Sequence, residues 1–463
     1  MRIALVNPNR ELKDPAVHLG IGYLASYARR FYPSIEFTVL DTRVAKPREV
    51  KTFFETKFDL VGITASSQVF LEAVEIAQQY KEQFPQTPIC LGGSHISTVK
   101  QEAIEGFPFD FGAYGEGELT FVEIIEYLNG EKSLEEIKGL VYQKTNGEIA
   151  INPPQPLISD IDSLPFPAYD LFKMRRYPQH RLTTSRGCPF NCVFCNSKSI
   201  WTNRWRKRSA QNILDEIKLQ LGNFGNKTIA FNDDSFNIDA KRVVEFCDLI
   251  VDEKLDFLWS TSIRVDLITP EIARKMRQAG CYNVSIGIES ANNEVLKRMN
   301  KHNTIEKIDN GIQILRKEGI DVMGQFMIGN PGDTLETVKE SIAYAKQSKL
   351  TGVEFYTALP YKDSLLYDFA TTQGTMLTDE PSYRYHTLSP RIVFETPDFS
   401  YAERVRAIEL AMESGYYHAL THDSKNFLLD FGRNLAKIAQ QIFGGKLGAK
   451  LYLLLRDLYR RIK

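Results

Sequence analysis

The chain has 463 residues, 43% hydrophobic and 25% charged, which are ordinary globular proportions with room for two or three domains. A formal net charge of -1 argues against nucleic acid as an overall partner, and six cysteines are too few for a disulfide scaffold. No run of about 18 apolar residues is present, and MRIALVNPNR enters a strand-like pattern without a leader's features, so a cytoplasmic chain is expected.

Over residues 1–135 short apolar runs (3–7, 35–40, 59–64, 88–93, 111–115) alternate with helical patterns such as 69–84 and 118–130. That alternation predicts an α/β domain, a doubly wound parallel sheet with ligands at the carboxyl ends of its strands. Residues 136–178 hold Pro153, Pro154, Pro156, Pro165 and Pro167 and read as a linker. A second series follows over 179–358, with strands at 182–185, 228–232, 256–261, 283–289, 321–329 and 352–357. Helical patterns at 209–224, 239–254 and 334–349 separate them, and six βα units suit a partial barrel. Residues 359–463 read as a mainly helical region.

Three of the six cysteines, Cys188, Cys192 and Cys195, fall in 185-SRGCPFNCVFCNSK-198, on the loop after the barrel's first strand. Gly187 and Pro189 keep that loop from becoming helix. A structural zinc site wants a fourth ligand, and the next cysteines, Cys247 and Cys281, sit in helical or helix-end patterns. A four-iron cluster held by three thiolates leaves one iron open to a substrate or cofactor.

The stretch C-P-F-N-C-V-F-C resembles the CxxxCxφC signature of radical S-adenosylmethionine (SAM) enzymes, with Phe194 in the aromatic position. The resemblance implies a 4Fe-4S cluster that reduces SAM to a 5'-deoxyadenosyl radical. It places Asp233 or Asp234, in 231-FNDDSF-236, near the SAM amino group, against simple solvation at a strand end. It places Arg264 near the SAM carboxylate, against a surface arginine. Glu289 and Ser290, closing 285-SIGIES-290, fall where the ribose hydroxyls are held, a structural ion pair being the rival. Gly329 and Pro331, in 326-FMIGNPGD-333, fall where backbone approaches the adenine.

The amino-terminal domain resembles that of the cobalamin-binding subclass in 18-HLGIGYLASYAR-29, 91-LGGSHIS-97 and 114-YGEGELT-120. Gly92, Gly93, Gly115, Glu116 and Gly117, with Ser66 and Ser67 of 64-TASS-67, are the implied cobalamin contacts. The D-x-H-x-x-G histidine of the cobalamin motif has no counterpart in 41-DTRVAKPRE-49, and His95 reads as a loop hydrogen-bonding residue rather than a cobalt ligand. The alternative is a domain that keeps the fold without the cofactor, as a lid or substrate platform.

Residues 433–463 carry eight Lys or Arg and one Asp, with Leu447, Leu451, Leu454, Leu455, Leu458 and Ile462 at helical spacing. Such a helix packs on its own protein or lies on an anionic membrane surface. Tyr361, Tyr383, Tyr385 and His386 are polar aromatic candidates for the substrate side. The whole predicts a Rossmann-like domain and a partial TIM barrel acting together in radical SAM chemistry. The expected reaction is cobalamin-dependent methyl transfer to an unactivated carbon or phosphorus of a small-molecule or lipid-like substrate. A cyclisation, ring contraction or oxidation is the alternative. A methylthiotransferase or a cofactor carrier fits less well, since only Cys90 precedes residue 188 and a carrier needs no adenine loop. An electron donor such as flavodoxin or ferredoxin is implied, and no nucleic acid.

Overall fold

The computed structural model describes residues 1–9, 16–177, 179–225, 227–379 and 392–415. Tyr383, Tyr385, His386 and the basic run 446–463 lie outside the described residues.

The amino-terminal domain runs β1 (Arg2–Asn7), α1 (Leu19–Phe31), β2 (Glu36–Asp41), α2 (Pro47–Phe54), β3 (Leu60–Thr64), α3 (Phe70–Gln83), β4 (Ile89–Gly92), α4 (Ser94–Val99), β5 (Phe111–Ala113) and α5 (Gly117–Leu128). The strands pair in parallel in the order β2-β1-β3-β4-β5. In β1 every residue after Arg2 is buried, as expected of a strand covered on both faces.

The span 136–178, expected as a linker, is built into the fold. Strands β6 (Leu140–Gln143) and β7 (Ile149–Ile151) extend the sheet antiparallel beyond β5. Further on, Tyr169, Phe172, Met174 and Tyr177 are buried in the same core as β1 and α5. The prolines interrupt regular structure, but they say nothing of the apolar side chains between them, which still leave water.

The second domain begins at β8 (His180–Leu182), two residues earlier than expected. Ser185–Arg186 form β9, which leaves the main sheet to pair antiparallel with β10 (Arg206–Lys207), and the short helix α6 (Lys198–Trp201) lies between them. Then come α7 (Ala210–Phe224), β11 (Thr228–Phe231), α8 (Ala240–Asp252), β12 (Leu258–Ile263), α9 (Pro270–Gln278), β13 (Cys281–Glu289), α10 (Asn293–Arg298), α11 (Ile305–Lys317), β14 (Asp321–Ile328), α12 (Leu335–Gln347) and β15 (Gly352–Thr357). Six parallel strands order as β15-β14-β13-β12-β11-β8, an incomplete barrel. Local chemistry sets the helix limits. Ser209 Oγ accepts from the Asn212 amide at 3.2 Å to start α7, and Gly225, at φ +69°, ends it. Thr269 caps α9, with Pro270 in its first turn.

Burial alternates along these strands. In β12 Trp259, Thr261 and Ile263 are buried, while Leu258, Ser260 and Ser262 are half-buried. The first set packs under the helices and the second faces the barrel interior. Trp259 stacks on Phe231 at 4.9 Å between ring centres, meets Phe236 and Phe246 edge-on, and donates to the Ala279 carbonyl at 2.8 Å. Beyond β15, α13 (Leu365–Thr372), β16 (Thr375–Met376), β17 (Phe394–Glu395) and α14 (Tyr401–Glu413) cap one side. Leu366, Ala370, Val393 and Phe394 form a small core there, with Phe194 of the cysteine loop packed against it.

Trp259→Ala should therefore destabilise the barrel by about 3–5 kcal/mol, read as an earlier urea unfolding midpoint.

Candidate active site

The cysteine loop is shaped by its glycine. Gly187 has φ +82°, and a Cβ there would lie 2.2 Å from the Arg204 carbonyl oxygen, so only glycine lets the chain turn tightly beside residue 204. Cys188, Cys192 and Cys195 are free and half-buried. The Cys195 amide donates to the Cys192 carbonyl at 3.0 Å, and the Ser197 amide to Cys195 Sγ at 3.4 Å. Burial pushes all three thiols up, Cys195 to about 11, while Lys301 and Arg264 act in the opposite sense on Cys192. A metal centre here must displace protons from the thiols as it binds. An iron–sulfur cluster takes its thiolates on separate irons, so its ligands stand apart. Among the described residues no three Cys, His, Asp or Glu side chains close around a single ion. The donor set fits a cluster held by three cysteines.

Two aromatic rings of the loop each carry a cation. Arg264 lies 3.8 Å over the Phe190 ring centre, and Lys301 Nζ lies 5.7 Å from that of Phe194. Arg264 is clasped by Asp266 at 3.0 and 2.9 Å and donates to the Lys301 carbonyl at 3.1 Å. Its fork is engaged within the protein rather than waiting at the strand end. Lys301 is fixed by Glu289 at 2.8 Å. Glu289 itself has φ +66°, and its carboxylate folds over Gly287, where a Cβ would lie 2.2 Å from Oε1. Ser290 is buried, and its Oγ accepts from the Asn292 amide at 3.2 Å beside the start of α10.

The adjacent acids divide. Asp233 is buried and accepts from the Thr184 amide at 2.7 Å, from Ser185 Oγ at 2.6 Å and from Thr184 Oγ1, which pins the bend between β8 and β9. Asp234 faces the cysteine loop, accepts from Ser197 Oγ at 2.8 Å, and is pushed up mainly by burial. Of the two, Asp234 is the one beside the thiols.

After β14, Gly329 (φ +104°), Pro331 and Gly332 (φ +87°) form a loop organised by Asp333. Asp333 Oδ2 accepts from the Gly329 and Asn330 amides at 2.9 and 2.8 Å.

In the amino-terminal domain Gly93 has φ +98°, and a Cβ there would meet the Ala65 carbonyl at 2.6 Å. Beside it, a Cβ at Gly92 or Gly115 would have nothing within 4 Å, so these glycines open onto space at the sheet's carboxyl edge. Ser97 Oγ holds the Gly115 amide at 3.0 Å. Ser67 Oγ bonds Nδ1 of the buried His95 at 2.9 Å, and Ser66 starts the short turn that follows β3. Arg43, two residues beyond Asp41, turns back onto that carboxylate and onto the Ala16 carbonyl. The glycines leave open space at this edge, and the loop after β2 carries an arginine, engaged by Asp41, where the motif would have an imidazole.

Glu116 and Gly117 do something else. Gly117 opens α5 close against Leu24. Glu116, buried, pairs with Arg186 at 2.8 Å and Arg206 at 2.7 Å, and accepts from the Ile158 amide at 2.9 Å. Glu118 takes the other arm of Arg186 at 2.6 Å. Arg186 precedes the cysteine loop and Arg206 follows it, so both ends of the loop are bound to the amino-terminal domain. Asn196, next to Cys195, donates to Thr98 Oγ1 of α4 at 2.5 Å. Pattern reading of the sequence missed Asp266, Lys301, Asp333, Arg186, Arg206 and Asn196. The basic run 204-RWRKR-208 beside the cysteines is a signal that could have pointed to Arg206, and it was not read.

Two family models match the chain: the radical SAM superfamily over residues 182–345 and the B12 binding domain over residues 9–125. An uncharacterized methyltransferase of Pyrococcus horikoshii is 33% identical over 404 residues, covering 84% of this chain and 87% of its own. The anaerobic magnesium-protoporphyrin IX monomethyl ester cyclase of Rubrivivax gelatinosus is 27% identical over 385 residues, 78% of this chain and 69% of its own. Among solved structures, the radical SAM methyltransferase TsrM of Kitasatospora setae, with cobalamin and a 4Fe-4S cluster bound, has a TM-score of 0.70 at 20% identity. The match covers 82% of this chain and 81% of that one, a likeness of fold.

Glu116→Gln leaves two buried guanidiniums facing a neutral amide. It should lower unfolding stability by about 3–5 kcal/mol and reduce iron and sulfide retained after anaerobic reconstitution, both measured against the parent chain.

Proposed function

Because the chain belongs to the radical SAM superfamily, in the branch with a B12-binding domain ahead of the barrel, we propose that it methylates an unactivated carbon, or phosphorus, of a small-molecule or lipid-like substrate. It is an enzyme of the 4Fe-4S cluster, SAM and cobalamin. When bound, the cluster and SAM supply a hydrogen-abstracting carbon radical, and the corrinoid supplies a transferable methyl group.

In this reading Cys188, Cys192 and Cys195 would hold the cluster. Asp234, beside them, would accept from the SAM amino group, the Glu289–Lys301 pair would hold the ribose, and the 329–333 loop would hold the adenine. Arg264 acts through Phe190 and Asp266, as a support for the loop. Gly92, Gly93 and Gly115, with Ser66 and Ser67, would line the corrinoid side. The observation that carries the reading is the joining of the thiol loop to the glycine-cradle domain through Glu116 and Asn196. It supports a single cavity shared by the two cofactor places, which a methyl transfer between them requires.

An external one-electron donor of the flavodoxin or ferredoxin class belongs to the proposal. So does contact of the basic carboxyl-terminal run with an anionic membrane surface. Among the described residues no helix is long and apolar enough to cross a membrane.

The test is anaerobically reconstituted protein incubated with SAM and a reductant, with the visible spectrum recorded first. Corrinoid absorption, 5'-deoxyadenosine and S-adenosylhomocysteine are the expected results, and Cys→Ala at 188, 192 and 195 should abolish both products. Deoxyadenosine without S-adenosylhomocysteine would move the assignment to the cyclisation or oxidation reading, which the cyclase relative favours. Absence of both products would end the proposal.

A further inference from the structure

Arg404 of α14 is fully buried although it is the most hydrophilic kind of side chain, and the reaction as described makes no use of it. Its guanidinium lies 4.2 Å from the ring centre of Phe394 and 4.8 Å from that of Phe399. Nε donates to the Phe399 carbonyl at 3.0 Å. Nη2 is sealed from solvent with no hydrogen-bond partner among the described residues. Burying a cation in this state is costly, and it persists where the surroundings fix it for another purpose.

The purpose lies at Gly329. A Cβ at that position would be 2.4 Å from Arg404 Nη1, so the bare Cα of the loop rests directly on the guanidinium. Behind the same loop sits Asp333, whose carboxylate holds the Gly329 and Asn330 amides from inside. Burial pushes Asp333 up to about 6, and the nearby charge of Arg404 works against that rise. The loop is thus fixed by an anion bound to its amides and a cation pressed against its backbone. The cation comes from a helix about 75 residues further along the chain, beyond the barrel's last strand.

We propose that Arg404 is a positioning residue for SAM: it sets the 329–333 loop from behind and so ties adenine binding to docking of α14. The inference rests on the assignment of that loop to the adenine. Arg404→Met keeps most of the side-chain volume but removes charge and fork, and Arg404→Lys keeps the charge without the planar contact.

The experiment measures equilibrium binding of SAM and, separately, of hydroxocobalamin to cluster-loaded protein, with iron content determined for each variant. Arg404→Met should weaken SAM binding about tenfold, with iron content and corrinoid affinity unchanged. Arg404→Lys should fall between Met and the parent. If the methionine variant does not fold, the lysine variant alone decides. Parental SAM affinity in a folded variant overturns the inference, and so does equal weakening of SAM and corrinoid binding, which marks a merely structural role. A parent chain that binds no SAM overturns both this inference and the function it rests on.

Discussion

The structure turns on one buried ion cluster. Glu116 and Glu118 at the start of α5 grip Arg186 and Arg206, at distances of 2.6–2.8 Å, and these arginines bracket the cysteine loop. Arg186 also lies 4.9 Å over the ring of Tyr23 and Arg206 5.5 Å from that of Trp201. Taking four charges out of water is expensive, and the mutual attraction of such groups often does no better than break even against an apolar contact of the same shape. What the cluster contributes is register. Apolar faces can slide, whereas two forks on two carboxylates fit in one arrangement only. The loop that carries the thiols is thereby set against the domain that carries the glycine cradle, and Asn196 adds a third tie to α4.

How far the sequence reveals this depends on distance along the chain. The thiol spacing, the glycine turns and the alternating strands are local, so residues 188–195 were legible, and the helices read at 69–84, 118–130, 209–224, 239–254 and 334–349 lie within two residues of those limits. The partners were not legible. Glu116 meets Arg186 across 70 residues and Arg206 across 90, and nothing in either segment announces the other. The same limit explains Asp233, which Thr184 engages across 49 residues. Arg264 is a different case: its partner Asp266 is only two residues away, and what the sequence could not show is which of several nearby acceptors the fork takes. The prolines of 136–178 gave a third kind of error. They marked irregular backbone correctly, yet Tyr169 and Tyr177 are as buried as a sheet residue.

The two sheets differ in a way that follows from what each must hold. In the first domain helices cover both faces, so β1 buries five consecutive residues and its ligand side is left to the loops. In the barrel one face of each strand looks inward, and there Ser260, Ser262 and Gln325 remain half-buried while Trp259 and Phe326 close the outer core. An interior lined in part by such polar side chains can take a small molecule, while the main apolar core lies on the other face.

Charge around the thiols follows a related logic. Arg264 and Lys301 each stand over an aromatic ring of the loop, and each has its own carboxylate, Asp266 or Glu289. Both cations act to lower the Cys192 thiol, and Glu289 acts to raise it. Such paired groups are neutral overall, which limits the cost of burying each cation. Burial dominates at all three thiols and pushes them up, so metal binding must draw off their protons against that rise.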